Sequence, residues 1–462
     1  MVNISSNIFK MYDIRGIFNK DLSVTDAYYI GKGLGTFFQF NGEKKVIVGR
    51  DNRVSGKETS KAAIKGLLET GCDVISLGII ATPMIYFSWY NLDANATVMV
   101  TASHNPAEYN GFKCSLKKKP IFGDAYQKIK EICLNEKFKE GSGKESKTNI
   151  FPDYKEKIKS SVSLKKKLKI AIDCGNGTES LFAPTIFSEL NCEVVPVFCD
   201  SDGSFPNHQP YPQKIELYEK LKETILGEHC DIGLAFDGDG DRLGVYDEKG
   251  HFVEADRLAM IFVEDICKKN ANKKIVMNTS TSLSVINFIK KLGGDFYLWK
   301  TGYPNITEKM DEIKAIFGGE ISGHFFFRDK YLGFDDALYA GIRVLEILSN
   351  QTETFSAIVS KLPRYFETRE YRVEIPKHVD KFALIEKIKE DLKKEYQNLE
   401  ILDFDGIRFS FNDGWGLIRP SNTEPLITGR AEGKTPERLN EIKEIIKNKL
   451  ALFKINLNWD NY

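Results

Sequence analysis

Lys45-Val46-Ile47-Val48-Gly49 runs straight into Arg50-Asp51-Asn52-Arg53 and then into the helix-like Lys57–Thr70. The same order returns twice. Lys169-Ile170-Ala171-Ile172 leads through Asp173-Cys174-Gly175-Asn176-Gly177 to Leu181–Leu190, and Lys274-Ile275-Val276-Met277 leads through Asn278-Thr279-Ser280 to Leu283–Leu292. Continuous apolar runs mark strands buried on both faces, and the helices that follow are their covers. Three such units in tandem predict three α/β domains with mixed sheets covered by helices. Beyond Pro363 the character changes. Tyr371–Ile375, the helical Lys381–Tyr396, Ile407–Phe411 and a final helix Pro436–Leu450 predict a smaller α+β domain. Glu140–Asn149 holds no apolar residue and reads as a linker or exposed loop. Asp247-Glu248-Lys249-Gly250 reads as a hairpin turn. The expected domains are 1–149, 150–251, 252–365 and 366–462.

At 462 residues the chain is long enough for about three or four domains. Its 65 basic and 65 acidic residues cancel, so no global field draws it to nucleic acid or an anionic membrane. Only 14 of the basic residues are Arg, with none between Arg53 and Arg242. Each Arg therefore stands out, because its planar fork of donors is something Lys does not supply. The eight Cys form no C-x-x-C pair and suit buried thiols in a reducing compartment. The N-terminus lacks the basic start and apolar core of a signal peptide, and a cytoplasmic location is expected. Val74–Leu92 carries no formal charge, but Gly78, Pro83 and its polar residues make it a strand, a turn and a helix rather than a membrane span.

Chemistry concentrates in four loops. Thr101-Ala102-Ser103-His104-Asn105-Pro106 leaves the apolar Ala96–Val100, so Ser103 either presents a hydroxyl to a cleft or sits in an ordinary turn. Lys113, nearby, suits an anion. Asp237-Gly238-Asp239-Gly240-Asp241-Arg242 crowds three carboxylates into one tight curve. A hard divalent cation relieves their repulsion, and three acids leave positions open for phosphate or water, which suits Mg²⁺. An EF-hand is excluded, because Arg242 occupies the position that needs Gly. Gly319-Glu320-Ile321-Ser322-Gly323-His324 either reads vicinal sugar hydroxyls through Glu320 and Ser322 or forms a polar turn; His324 also suits a buried histidine. Arg419-Pro420-Ser421-Asn422-Thr423-Glu424-Pro425 is either a surface turn or a phosphate clamp with Arg430 assisting, and the scarcity of Arg tips it modestly toward the clamp. Tyr12-Asp13-Ile14-Arg15-Gly16 sets another Arg beside a Gly. No G-x-x-x-x-G-K-[ST] loop is present, and Gly31-Lys32-Gly33-Leu34-Gly35 is not a dinucleotide fingerprint.

In this order the four loops resemble the α-D-phosphohexomutase superfamily across essentially the whole chain. Phe9–Gly16, Phe205-Pro206-Asn207-His208 and the stretch from Gly319 through Asp336 are most similar to its phosphomannomutase/phosphoglucomutase branch. The resemblance implies four domains around a central cleft, the fourth mobile, and reversible phosphate transfer between C1 and C6 of a mannose or glucose phosphate. It implies a phosphoryl group carried on Ser103 and a hexose 1,6-bisphosphate intermediate. Mg²⁺ would be bound by Asp237, Asp239, Asp241 and the phosphoserine. Lys113, Arg15, Arg242 and His104 would surround the transferring group, with Lys113 handling the proton. Tyr12, Lys300, Tyr303, Glu320, Ser322 and His324 would meet the substrate. Arg419, Ser421, Asn422, Thr423 and Arg430 would hold the phosphate that is not being transferred. The implied partners are small hexose phosphates, with no nucleic acid or membrane and a monomer or weak dimer as the assembly.

Two positions depart from the branch: Tyr303 stands where His is usual, and Ser280 where Lys is frequent. They bear on glucose against mannose preference. The rival readings are an amino-sugar phosphomutase, against which the Ser-Asn-Thr of 421–423 argues, a sugar-phosphate-binding protein without catalysis, and a simple phosphatase.

Overall fold

The computed structural model describes residues 4–376, 379–396, 399–421 and 426–461. Its contacts divide the chain into two compact units. One holds the residues through Phe262 together with Ser322–Ser360; the other holds Val263–Ile321 together with the residues from Lys361 on.

The first unit carries two sheets. The larger orders its strands Ile14–Ile17, Tyr109–Leu116, Ala96–Val100, Lys45–Arg50, Asp73–Ile79 and Glu145–Lys147. Lys45–Arg50 runs parallel to both Asp73–Ile79 and Ala96–Val100, while Tyr109–Leu116 runs antiparallel to its neighbours. Every residue of Ala96–Val100 is buried, as a strand covered on both faces requires. Helix Val24–Phe40 starts at a capping box, with Ser23 Oγ accepting from the Asp26 amide and Asp26 accepting from the Ser23 amide. It packs on helix Gly56–Glu69 at unusually close range. A Cβ on Gly31 would lie 2.2 Å from the Ala63 carbonyl oxygen, and one on Gly66 2.2 Å from that of Tyr28. Helix packing thus accounts for the glycines of 31–35.

The stretch 140–149 departs from the expected linker. Its Glu145–Lys147 forms an exposed edge strand parallel to Asp73–Ile79. Backbone hydrogen bonds hold it, from the amides of Gly141 to Glu69, Gly143 to Leu68 and Thr148 to Ser76, and these need no apolar side chain. Val74–Leu92 is a strand and a helix, Asp73–Ile79 and Thr82–Asn91, with Pro83 in the first turn. Among the described residues no helix is long and apolar enough to cross a membrane.

The second sheet orders Phe252–Val253, Leu243–Asp247, Ile232–Phe236, Lys169–Asp173 and Glu193–Val197. Its last three strands are parallel, and the hairpin at 247–250 is present as expected.

In the second unit, Lys274–Asn278 pairs in parallel with Asp295–Trp299 and Phe317–Gly319. The C-terminal sheet is antiparallel, in the order Phe366–Glu367, Leu426–Gly433, Gly414–Pro420, Ile407–Phe411 and Glu400–Leu402. Helices Lys381–Glu395 and Pro436–Ala451 cover it, through Leu384, Ile388, Ile442 and Ile446. Three α/β domains and a smaller α+β domain follow one another along the chain.

Candidate active site

Ser103 lies three residues beyond the central strand Ala96–Val100 and is buried. Its φ of 52° is left-handed, a conformation that a non-glycine residue holds only when its surroundings impose it. Arg53 is what imposes it. Its Nη2 donates to the carbonyls of Ser103 and Asn105, both at 2.7 Å, and its Nη1 to those of Pro106 at 2.6 Å and Tyr109 at 3.1 Å. Its Nε is paired with Asp51 at 3.1 Å. Both side chains are fully buried. Arg15 adds a bond to Asn105 Oδ1 at 2.7 Å, and Gln209 donates to the His104 carbonyl at 2.6 Å.

The loop delivers the Ser103 hydroxyl to Asp237, to which it donates at 2.9 Å, and sets it 3.2 Å from His104 Nδ1. Asp237 belongs to the curve after Ile232–Phe236, and its other oxygen accepts from the amides of Gly240, Asp241 and Arg242 at 3.0–3.1 Å. Lys113 sits opposite Met99 in the neighbouring strand, and its ammonium lies 2.7 Å from Asp239 and 2.5 Å from Asp241. Thr82 and Thr101 also donate to Asp239, at 2.6 and 3.2 Å. Arg242 Nε lies 4.0 Å from both Asp237 and Asp241. His324 Nδ1 is 2.8 Å from Asp335 and 3.7 Å from Asp241. Tyr12 is half-buried just before Ile14–Ile17.

Electrostatics divide the three acids. Burial, and then the charges of Asp241 and Asp239, push Asp237 well above the ordinary carboxylate range. Burial opposes ionisation of Asp239 too, but Lys113 and Thr82 outweigh it and hold that carboxyl low. His104 is held neutral by burial and then by the positive charges of Arg242, Arg15 and Lys113. Burial opposes charge on His324 as well, yet Asp241 and Asp335 raise it. The three loop carboxylates each offer an oxygen within 4.8 Å of the others. Asp239 Oδ1 and Asp241 Oδ1 are buried and accept no hydrogen bond from any described residue. Buried oxygens left over in an all-oxygen cluster fit a hard divalent cation.

The second unit assembles the other loops. Glu320 is buried and accepts from the Gly302 amide. Tyr303 opens helix Tyr303–Ile313 and is buried, and Lys300 is exposed after Asp295–Trp299. Arg419 is half-buried in Gly414–Pro420. Ser421 is buried, with its carbonyl accepting from Lys381 Nζ at 2.5 Å. Asn422 and Thr423 lie outside the described residues. Arg430 donates to Glu367 at 2.6 Å and to the carbonyls of Thr368 and Ser280. Asp405 accepts from Thr279 Oγ1 at 2.9 Å and the Thr301 amide at 2.8 Å. Arg408, stacked 3.6 Å over Trp415, donates to the carbonyls of Thr279 and Thr281. Ser322, which the sequence groups with Glu320, falls in the first unit.

Arg53, Thr82, Asp335, Asp405 and Arg408 escaped the sequence reading. For Arg53 the scarcity of Arg was a signal. Arg408 carried the same signal, and Asp335 stood within the quoted stretch from Gly319 through Asp336 without a role; Thr82 and Asp405 act across separations that no local motif marks.

Profiles described as phosphoglucomutase/phosphomannomutase alpha/beta/alpha domains I, II and III match residues 6–140, 152–250 and 254–366, and the C-terminal domain of the same description matches 371–449. The chain belongs to the phosphoglucomutase/phosphomannomutase family. A Pseudomonas aeruginosa protein named phosphomannomutase/phosphoglucomutase is 38% identical over 447 residues, covering 97% of this chain and 96% of its own length. A Neisseria gonorrhoeae protein named phosphoglucomutase is 38% identical over 452 residues, covering 97% of each. The crystal structure of a phosphoglucomutase/phosphomannomutase family protein from Burkholderia thailandensis superposes with a TM-score of 0.93 at 36% identity, covering 99% of both chains. Ser280 lends its carbonyl to Arg430, and Tyr303 opens helix Tyr303–Ile313 directly after Gly302, whose amide donates to Glu320.

Proposed function

We propose that this phosphohexomutase moves phosphate reversibly between C1 and C6 of glucose and mannose phosphates, with Ser103 as carrier and a hexose 1,6-bisphosphate as intermediate. The observation that supports it is the seat of Ser103. A buried hydroxyl, 2.9 Å from one acid of a three-carboxylate cluster, shares that cluster with a buried ammonium. Phosphoryl transfer needs this kind of placed charge more than covalent assistance.

Asp237, Asp239, Asp241 and the phosphorylated Ser103 would hold Mg²⁺, which when bound offsets the charge that develops on the transferring group. The chain's own residues do the rest. The fixed turn at Ser103 holds its oxygen toward the cluster, so that attack by a sugar hydroxyl and departure of Oγ fall in line. Lys113 is the proposed proton donor to Oγ as the phosphorus–oxygen bond breaks. Neutral His104 touches the same oxygen without adding charge. Arg15 and Arg242 offer forks to the phosphoryl oxygens. Glu320 and Ser322 are the proposed readers of sugar hydroxyls, with His324, Tyr12, Lys300 and Tyr303 as further substrate contacts. Arg419, Ser421, Asn422, Thr423 and Arg430 are the proposed holders of the second phosphate. The enzyme is proposed to act in the cytoplasm, as a monomer or weak dimer, without a nucleic-acid partner.

Intact-mass spectrometry before and after incubation with hexose 1,6-bisphosphate tests the carrier. One added phosphoryl group mapping to Ser103 is expected; its absence, or a fully active Ser103→Ala enzyme, would overturn the reading. Turnover of glucose 1-phosphate, mannose 1-phosphate and glucosamine 6-phosphate tests the sugar.

A further inference from the structure

Cys174 and Cys199 stand apart from the other cysteines. Their sulfurs are 3.3 Å apart, the contact of two thiols facing each other, although 25 residues separate them in sequence. Cys174 follows strand Lys169–Asp173 and Cys199 follows Glu193–Val197, and these strands are parallel neighbours with Asp173 opposite Val197. Adjacent strands lie roughly 4.8 Å apart, inside the Cα separation of about 4.4–6.8 Å that a disulfide spans. Phe198, at a φ of 48°, turns the chain between them. Cys199 Sγ folds back over the strand ends, 3.4 Å from the Val197 carbonyl and 3.5 Å from that of Ile172. Among the described residues the pair belongs to no cluster of three metal-ligating groups.

Access sets one thiol of the pair apart. Cys199 is the one cysteine of the eight that is not buried. Burial pushes the thiols of Cys72, Cys114, Cys133, Cys192, Cys230 and Cys267 up, which keeps them from ionising; burial raises Cys174 too, so its proton leaves only in the second step, to the departing hydroxide.

The loop behind Cys174 reaches the metal curve. The Gly177 amide donates to the Cys174 carbonyl, and Thr178 donates to the Gly238 carbonyl from its amide at 3.0 Å and its hydroxyl at 2.8 Å. Gly238 in turn lies so close to Ser103 that a Cβ on it would stand 2.5 Å from the Ser103 carbonyl oxygen.

We propose that Cys174 and Cys199 form a reversible dithiol–disulfide site whose oxidation shifts the 174–178 loop and slows phosphoryl transfer at Ser103. The oxidant is a hydroperoxide. Cys199 sulfur attacks a peroxide oxygen; the oxygen–oxygen bond breaks, water or an alcohol leaves, and Cys199 becomes a sulfenic acid. Cys174 sulfur then attacks the Cys199 sulfur. The sulfur–sulfur bond forms, the sulfur–oxygen bond breaks, and the hydroxide leaves as water with the Cys174 proton. The two thiols supply the two electrons that reduce the peroxide. Closing the sulfurs from 3.3 Å to a bond of about 2.05 Å brings them more than about 1 Å nearer, and the part of that closure which side-chain rotation does not absorb falls on the base of the loop.

The test treats the full-length protein with hydrogen peroxide, alkylates the remaining thiols, and maps cross-linked peptides by mass spectrometry beside a turnover assay. The expected result is a single linked pair, 174 with 199, reversed by dithiothreitol. Turnover falls roughly ten- to a hundredfold in step with the link and recovers with it. Cys199→Ser, which removes a partly exposed thiol outside the catalytic machinery, keeps its full rate and resists peroxide; Cys174→Ala serves as the second variant. Eight thiols still open to alkylation, a 174–199 link with unchanged turnover, or equal inactivation of Cys199→Ser would each overturn the proposal. The cross-link arm stands apart from the mutase reading, and only the turnover arm rests on it.

Discussion

Lys113 Nζ stands 2.7 Å from the Asp239 carboxylate, both groups are buried, and the same ammonium touches Asp241 at 2.5 Å. A lysine therefore supplies the positive charge that this acidic curve requires of the chain itself. Replacing it with Met leaves carboxylates buried without their cation, a loss of about 3–5 kcal/mol. The Lys113→Met protein should melt well below wild type without Mg²⁺ and gain more from added Mg²⁺ than wild type does. Thermal melts with and without the ion measure this, and equal Mg²⁺ shifts in the two proteins would refute it.

Arg53 donates to four backbone carbonyls and one carboxylate around the serine loop. Lysine brings the charge but not the fork. Arg53→Lys should leave several of those acceptors unsatisfied, at about 1–3 kcal/mol each. With Ser103 no longer held in its left-handed turn, kcat should fall roughly a hundredfold. The comparison to make is kcat against KM: a fall in kcat larger than any rise in KM is expected, since the loop places the reacting oxygen.

Metal removal should silence the enzyme. Activity in the presence of a chelator should vanish and return with Mg²⁺. Asp239→Asn removes the acid that Lys113 and Thr82 hold ionised, so half-saturation should need at least about tenfold more Mg²⁺. An unchanged Mg²⁺ titration in Asp239→Asn would remove that acid from the ligand set.

Asp336 caps helix Ala337–Ser349 through the Tyr339 amide and accepts from the hydroxyls of Tyr331 and Tyr154. Burial nonetheless pushes its carboxyl up to about 6. In the unfolded chain the same group ionises near pH 4. Between those values the unfolded state gives up its proton while the folded state keeps it, so folding stability declines as pH rises through that window and levels off above it. The decline is about 3 kcal/mol at full extent. Asp336→Asn has no proton to lose there. Its stability relative to wild type should improve from pH 4 to pH 7, and parallel denaturant curves across that range would count against the assignment.

Asp405 ties Thr279 to Thr301 within the second unit. Asp405→Ala frees both segments, one next to Ser280 and the other next to Tyr303. The expected result is a rise in KM for hexose phosphate with a smaller change in kcat, and a stability loss of about 1–3 kcal/mol. Steady-state kinetics on glucose 1-phosphate and mannose 1-phosphate check it.

Much of the site was legible in the chain because its chemistry is local. Three Asp within five residues point to a cation site, and a Ser-His-Asn-Pro loop after a buried strand offers either a presented hydroxyl or an ordinary turn, a choice that the other three loops in order decided. Arg430 was less legible. Its fork suggested a phosphate, and nothing along the chain disclosed that it also holds Glu367 and two carbonyls. Nor did the apolar-free 140–149 disclose an edge strand, since backbone pairing leaves no trace in side-chain hydrophobicity.

The sequence by itself determined the buried strands, the long helices and the four motif-bearing loops, because periodicity and short motifs depend on neighbours along the chain. Only the tertiary structure decided which loops meet. It brought Ser103 to Asp237 across 134 residues, set Lys113 between two carboxylates, and put Arg53 beneath the serine turn. The reason is physical. A buried charge is tolerable only beside a partner, and which partner arrives depends on sheet order and register, which no stretch of sequence contains.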